Sequence, residues 1–159
     1  MTEDPLFRPP AGFVQVTSSG GFSTHNGPYW ERPAEGRVVR GFLALPRHAN
    51  ALGIVHGGML TAFLDSTMGV AVHRLVHSRS VTIRLVADFL SPGRVGDWLQ
   101  AEAELIGVDE GVAHIRASLS GPRHLVMTGQ GSFALLRTGR PVRYPKPRPA
   151  PAEPLSDSA

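Results

Sequence analysis

Small and polar residues within nine positions have the types and spacing for chemistry: Asn50, Gly53, His56, Gly57 and Gly58. Adjacent glycines leave room for a ligand beside the main chain. If a helix begins at these glycines, its first N–H groups have no partner within the helix, and the helix dipole adds partial positive charge. Such a point can hold a carbonyl oxygen that becomes negative during acyl transfer.

A single carboxylate, Asp65, lies nine residues after His56 in an otherwise apolar stretch, with Arg47 and Arg74 as the nearest charged residues. Aspartate is unfavourable inside a helix, and burying it costs several kcal/mol unless it is hydrogen-bonded or protonated. A role as general base or nucleophile would explain its position. A structural role, such as capping a nearby loop, is the alternative.

The elements that must position these residues are one long helix and a sheet. Residues 57–76 predict the helix, because apolar side chains cover almost its whole circumference. Such a helix must be buried on most sides, and in a chain of this size a sheet has to wrap it. Residues 36–45 predict a strand before the helix, and alternating apolar residues predict four antiparallel strands after it, the first over 80–90. The expected class is α+β.

Charge pairing predicts the register of the hairpin that turns at 109–111. Folding it to keep the apolar residues on one face sets Glu104 opposite His114 and Glu102 opposite Arg116. In the last strand, Gly129 and Gly131 indicate a bulge or a close approach of another element.

The chain of 159 residues suits one domain. We expect a loop-rich N-terminal segment over 1–35, with 17–36 rich in turn-forming residues, and the folded domain over 36–139. Residues 140–159 form a proline-rich tail that we expect to be disordered.

Composition excludes several function classes. There is no cysteine, which excludes disulfides, thiolate metal sites and a cysteine nucleophile. The sequence pI is about 10.2, but five of the basic residues lie within 137–148, whereas residues 1–136 hold eleven basic and eleven acidic residues. The basicity therefore belongs to the tail, and we expect no nucleic-acid partner. With no secretory signal and no apolar run long enough for a membrane span, we expect a cytoplasmic protein without a membrane partner.

Taken together, these motifs resemble those of a known family. The pattern Asn-x-x-Gly-x-x-His-Gly-Gly over 50–58, Asp65, and SVTIRLVADFLSPGRVGD over 80–97 are similar to the hotdog-fold acyl-CoA thioesterases, in the phenylacetyl-CoA and human-type branch. The resemblance covers residues 36–137. It implies a hotdog fold, in which an antiparallel sheet wraps one long helix. It also implies subunits that join edge to edge as homodimers, often paired into homotetramers, with an active site at the dimer interface.

The resemblance assigns the first part of that site to the loop and the start of the helix. The Gly57 N–H, helped by Asn50, would polarise the thioester carbonyl of an acyl-CoA. His56 would hold the loop and contact the thioester, and Gly58 would line the substrate site.

The second part lies further along the chain. Asp65 of the partner subunit would act on water as a base or attack as a nucleophile. Thr82, where some relatives have serine, would orient the water or the carboxylate. Arg94 is a candidate for binding the CoA phosphates. The resemblance implies no metal and no organic cofactor.

The leading hypothesis is therefore an acyl-CoA thioesterase. The alternative is a non-catalytic acyl-CoA-binding or regulatory hotdog protein, and a hotdog hydratase is disfavoured because its Asp and His spacing is absent. His73 and His77 have the spacing of a metal pair but lack an evident third ligand. No Gly-x-Ser-x-Gly motif supports a serine hydrolase. Residues 24–30 are expected to pack as a loop rather than line an acyl pocket.

Overall fold

The computed structural model describes residues 7–17 and 20–136. The proline-rich segment 140–159 lies outside the described residues, so its expected disorder stays a prediction. Among the described residues, no helix combines the length and the hydropathy needed to cross a membrane.

One antiparallel sheet and one long helix make up most of the described chain. In chain order the elements are β1 Val14–Val16, α1 Gly21–Asn26, β2 Tyr29–Arg32, β3 Arg37–Leu43, a 3-10 turn Pro46–His48, α2 Gly57–Leu75, β4 Ser80–Phe89, β5 Trp98–Asp109, β6 Val112–Ser120 and β7 Leu125–Leu135. The seven strands lie in the order β1-β2-β3-β5-β6-β7-β4. This is the expected α+β hotdog architecture, and the long helix begins at the residue that the sequence predicts.

The sheet wraps α2 closely because the apolar residues of the helix form the core of the protein. Phe63, Leu64 and Met68 are fully buried. A Cβ atom at Gly129 would lie 2.8 Å from Leu64 Cδ2, and one at Gly131 would lie 2.8 Å from Met68 Sδ. The two glycines of β7 therefore allow the helix to approach the sheet, which confirms the close approach rather than the bulge.

The loop interpretation of residues 17–36 is wrong for two segments, because α1 occupies 21–26 and β2 occupies 29–32. Tyr29 and Trp30 are buried, and β2 pairs with β3. Burial of these two aromatic side chains outweighs the turn-forming composition around them. The sheet consequently extends into the segment that we expected to be loop-rich, and it begins before residue 36.

The predicted hairpin register is also wrong. Glu104 lies opposite Arg116, with an ion-pair distance of 2.8 Å, and Gly107 lies opposite His114. The cause is a tighter turn than expected, in which Glu110 and Gly111 both have positive φ, combined with a register shift between Leu105 and Gly107. Two-residue turns with positive φ values match the twist of paired strands and so determine the register.

The two edges of the sheet differ in length. β1 has three residues, whereas β4 has ten and, among the strands of the described residues, pairs only with β7. A register shift between Thr82 and Arg84 interrupts the apolar alternation expected for β4. Val81, Ile83 and Phe89 are exposed by 47%, 58% and 55%. A long apolar edge of this kind is unfavourable in a monomer.

Candidate active site

The loop before α2 is held by its own main chain and by Asn50. The Asn50 side-chain oxygen accepts a hydrogen bond from the Leu52 N–H at 2.9 Å, and the Asn50 N–H donates to the Ile54 carbonyl at 2.8 Å. Gly53 has a φ of +75°, a conformation that glycine adopts at little cost. The structure therefore explains Asn50 and Gly53 as turn residues, and leaves the Asn50 amide NH₂ group available as a donor.

His56 caps the helix. Its Nδ1 accepts a hydrogen bond from the Gly58 N–H at 2.8 Å, and its own N–H donates to the His48 carbonyl at 2.8 Å. Because Nδ1 is an acceptor, a neutral imidazole carries its proton on Nε2. The side chain of His56 is exposed, so the Nε2–H can reach a ligand.

The two glycines that begin α2 have different surroundings. The Gly58 N–H is used by the cap, whereas the Gly57 N–H has no acceptor among the described residues. A Cβ atom at Gly57 would lie 3.3 Å from Phe89 Cε1, and one at Gly58 would lie 3.0 Å from His56 Nδ1. Gly57 therefore supplies the open donor, while Gly58 leaves room for the capping imidazole.

Asp65 and Thr82 are brought together by the packing of β4 beside α2. The Thr82 hydroxyl donates to Asp65 Oδ1 at 2.8 Å. Asp65 is half-buried rather than enclosed, so the expectation that the apolar helix buries it is wrong for the single chain. β4 lies beside this face of α2 without enclosing Asp65, because an open groove lined by residues of both elements runs past it. Oδ2 of Asp65 is consequently left to accept a second bond.

An open groove of about 400 Å³ begins at this pair and follows α2 toward its C-terminal end. Its volume falls within the usual range for small-molecule sites. The groove is lined by Asp65, Ser66, Gly69, Val70, His73, Ser78, Arg79, Ser80, Thr82 and Phe133. Sequence reasoning missed His73 and Arg79 as groove residues, although the spacing of His73 from Asp65, two steps of four residues along the helix, was a signal for it.

The site residues predicted from the sequence fall into two separate groups. Asn50, His56 and Gly57 lie at the start of α2, whereas Asp65 and Thr82 lie further along it. Eight residues of α-helix separate Gly57 from Asp65, which corresponds to about 12 Å along the axis. Within one chain, the Gly57 N–H and the Asp65 carboxylate cannot contact the same carbonyl group.

Arg94 belongs to the first group. It forms an isolated bridge with Ile54, and the Val55 N–H donates to the Gly93 carbonyl at 2.9 Å. The side chain of Arg94 is exposed and has no carboxylate partner among the described residues. A guanidinium is therefore available beside the loop that carries Asn50 and His56.

Sequence reasoning missed an ion cluster that joins α2 to β2 and β3, in which the buried Glu31 and Arg40 contact the exposed Arg74 and the groove residue Ser66. Glu31 lies between the two guanidinium groups, 3.2 Å from Arg40 Nε and in contact with Arg74. Arg40 also donates to Ser66 Oγ at 2.9 Å. Burial lowers the pKa of Arg40 below its ordinary value, and the Glu31 carboxylate opposes this shift. The Glu31 carboxylate is therefore shared between two cations, which leaves it little capacity for a ligand.

His48 is a second buried polar residue, 2% exposed, whose carbonyl holds the His56 N–H. Its Nδ1 accepts a hydrogen bond from the Leu45 N–H at 3.1 Å. Burial, and secondly the charge of Arg47, lower the pKa of His48 to about 4. The side chain is therefore neutral at pH 7. Among the described residues no cluster of three possible metal ligands occurs, and His73 and His77 gain no third ligand.

Comparison of the sequence with known proteins identifies several relatives. The family model of the thioesterase superfamily matches residues 52–119. A putative esterase of Pseudomonas aeruginosa is 30% identical over 129 residues, which are 79% of this chain and 96% of that protein. An acyl-CoA thioester hydrolase of Escherichia coli is 36% identical over 76 residues, 47% of this chain and 53% of the hydrolase.

Solved structures show the same fold. A hypothetical thioesterase protein with coenzyme A from Streptococcus pneumoniae superposes with a TM-score of 0.65 at 20% identity, covering 68% of this chain and 85% of the other. The PaaI protein of Escherichia coli, from the phenylacetic acid degradation operon, has a TM-score of 0.68 at 20% identity and covers 75% and 86%. At such identities the likeness concerns the fold alone.

Proposed function

The chain belongs to the thioesterase superfamily and is a thioester hydrolase, and from this premise we propose that it hydrolyses an acyl-CoA to the free acid and CoA, with Asp65 as the reacting carboxylate. The observation that carries the proposal is the contact of Asp65 with the Thr82 hydroxyl at the mouth of an open groove. A carboxylate with one oxygen held and the other open to a ligand suits a base or a nucleophile.

The carbonyl oxygen of the thioester would lie at the start of α2. The Gly57 N–H is the open donor there, and the partial positive charge of the helix N-terminus favours a developing oxyanion. The amide NH₂ group of Asn50 can supply a second hydrogen bond, because the oxygen of that side chain already serves the turn. His56 holds Gly58 and offers its Nε2–H to the substrate side.

Because Gly57 and Asp65 of one chain are about 12 Å apart along the helix, we propose that the site is shared between two subunits. The exposed apolar edge strand β4 is the surface through which a second copy would pair. A homodimer would bring Asp65 and Thr82 of one subunit toward Gly57 of its partner. We expect at least a dimer, and dimers paired into a tetramer. A monomer by light scattering at micromolar concentration would overturn the shared site.

The reaction has a simple balance. Either Asp65 accepts a proton from a water molecule that attacks the carbonyl carbon, or the carboxylate attacks first and water hydrolyses the resulting anhydride. In both routes the C–S bond breaks, CoA leaves as a thiolate and takes up a proton, and one water is consumed. Thr82 holds Oδ1 so that Oδ2 faces the reacting atom. Arg94, beside the loop, is proposed to bind a CoA phosphate.

The test is release of free thiol from a panel of acyl-CoA esters by the wild type and by Asp65→Asn. The amide keeps the shape and removes the base or nucleophile, so kcat should fall by about a hundredfold or more, with a smaller change in KM. The melting temperature should be unchanged or higher.

Two results would contradict the proposal. Wild-type kcat in Asp65→Asn on the best substrate would exclude the mechanism. CoA ester binding without turnover would identify an acyl-CoA-binding protein instead of an enzyme.

A further inference from the structure

The far end of the open groove differs in character from the end at Asp65. Gly69 and His73 follow Asp65 at steps of four residues, so one stripe of α2 forms the groove floor. Midway, Gly69 has no side chain, and Val70 and Phe133 provide apolar walls. The groove can therefore hold an apolar chain between two polar ends.

At the far end, polar side chains gather that can hold an anion. His73, Ser78, Arg79 and Ser80 line this part of the groove, and Asp65 is the only acidic residue among all the lining residues. The His73 imidazole, the Ser80 hydroxyl and the Arg79 guanidinium provide hydrogen-bond donors, whereas the Ser78 hydroxyl already donates to the Arg79 carbonyl. Among the described residues, no carboxylate lies at this end of the groove to neutralise them.

Arg79 differs from the arginines that serve structure. Arg37, Arg40, Arg74 and Arg116 each pair with a glutamate, whereas Arg79 is exposed and has no carboxylate partner among the described residues. Guanidinium groups bind carboxylates with two parallel hydrogen bonds, a geometry that a neutral acyl terminus cannot match. An unpaired guanidinium at the end of a substrate groove indicates an anionic substrate terminus.

We infer that the preferred acyl group ends in a carboxylate, so that the substrate is the mono-CoA thioester of a dicarboxylic acid, and that Arg79 determines this specificity. The inference rests on the proposed function, because it takes the Asp65 end of the groove as the thioester end. Eight residues separate Asp65 from His73, or about 12 Å along the helix. An acyl chain of medium length is needed to span that distance. At this separation, Asp65 repels the distal carboxylate only weakly, because salt screens such charges.

The experiment compares three acyl-CoA esters of equal chain length: octanedioyl, octanoyl and ω-hydroxyoctanoyl. We expect the wild type to hydrolyse octanedioyl-CoA with a kcat/KM at least tenfold above that of octanoyl-CoA. Arg79→Gln should lower kcat/KM for octanedioyl-CoA by about tenfold or more, mainly through KM, because it removes the charge-assisted hydrogen bonds to the distal carboxylate. Octanoyl-CoA should change less than about twofold, because Arg79 does not contact its apolar terminus.

Two further variants serve as controls. Arg79→Lys should retain part of the preference for octanedioyl-CoA, because lysine keeps the positive charge but cannot form two parallel hydrogen bonds to a carboxylate. Arg123→Gln makes the same charge change at an exposed arginine that does not line the groove, and it should alter neither substrate.

The outcomes separate the two proposals. Equal rates for the three esters, a preference for the hydroxyl terminus, or an equal loss on all esters in Arg79→Gln would overturn the carboxylate inference. Hydrolysis of octanoyl-CoA without octanedioyl-CoA would do the same and leave the thioesterase mechanism intact. If no ester is hydrolysed, both proposals fail.

Discussion

On the side of α2 that faces β2 and β3, Glu31 pairs with two arginines and Arg40 reaches Ser66, so each charge has a partner inside the protein. On the side that faces β4, the half-exposed Asp65 carboxylate accepts one hydrogen bond from a side chain among the described residues, that of Thr82. The polar groups on the two sides of α2 therefore differ in their capacity to bind a ligand. Polar groups that satisfy one another stabilise the fold, whereas polar groups with spare capacity beside a groove can act on a ligand.

The largest effect should follow from breaking the buried Glu31–Arg40 ion pair. Glu31→Gln leaves the buried Arg40 charge without its carboxylate, and loss of one partner of a buried pair typically costs about 3–5 kcal/mol. Urea unfolding should show this loss, while kcat of the folded fraction changes little. Glu102→Gln is the matched control, because the Arg37–Glu102 pair is solvent-exposed at 53% and 35% and such pairs contribute less than about 1 kcal/mol. Similar losses of unfolding free energy in Glu31→Gln and Glu102→Gln would contradict the difference between the buried and the exposed ion pair.

At the candidate active site, the loss of a donor should lower kcat. Gly57→Pro removes the N–H that we assign to the oxyanion, and proline is well tolerated at the first position of a helix. His56 has a ψ of 133°, which suits a residue before proline. Loss of one oxyanion donor costs about a hundred- to a thousandfold in kcat.

Gly57→Ala is the control for that variant, because it keeps the N–H and adds a Cβ that approaches Phe89 in the same way. It should retain most of its activity. If Gly57→Ala loses as much activity as Gly57→Pro, crowding at Phe89 and not the N–H would be responsible.

His48 sharpens the comparison through pH. Its folded pKa of about 4 lies below the ordinary 6.5, so the fold favours the neutral side chain. The resulting stability is present above pH 6.5 and is lost as the pH falls from 6.5 to 4, by roughly 3 kcal/mol. Across this range, the free energy of unfolding should depend less on pH in His48→Asn than in the wild type. His124→Asn, at an exposed histidine, should keep the wild-type dependence of the unfolding free energy on pH. If this variant also weakens that dependence, the effect would not belong to His48.

The smallest effect should come from Thr82. Thr82→Val removes the hydroxyl that holds Asp65, and kcat should fall by about tenfold with little change in stability, since the pair is exposed. Thr82→Ser should restore the rate because it keeps the donor. Thr128→Val makes the same change on a strand residue away from Asp65 and should leave kcat unaltered. If Thr82→Ser lowers kcat as much as Thr82→Val does, side-chain packing and not the hydroxyl would be responsible.

Much of the fold could be predicted because its signals are local. The apolar circumference of 57–75 and the alternation in the strands after it indicate one buried helix and a sheet around it, and both are present. The cluster from Asn50 to Gly58 likewise lies within one turn and one helix start. The register of β5 and β6 was predicted wrongly, because two residues with positive φ made the turn tighter than its composition indicates.

By itself, the sequence determined the helix, most of the strands and which residues could do chemistry, because each depends on neighbours a few positions away. Tertiary structure alone decided which of them meet. Thr82 reaches Asp65 across 17 positions, and Arg74 reaches Glu31 across 43. Those contacts depend on how β2 and β4 pack beside α2. The same packing buries Glu31 between two guanidinium groups, whereas it leaves Asp65 half-exposed beside an open groove.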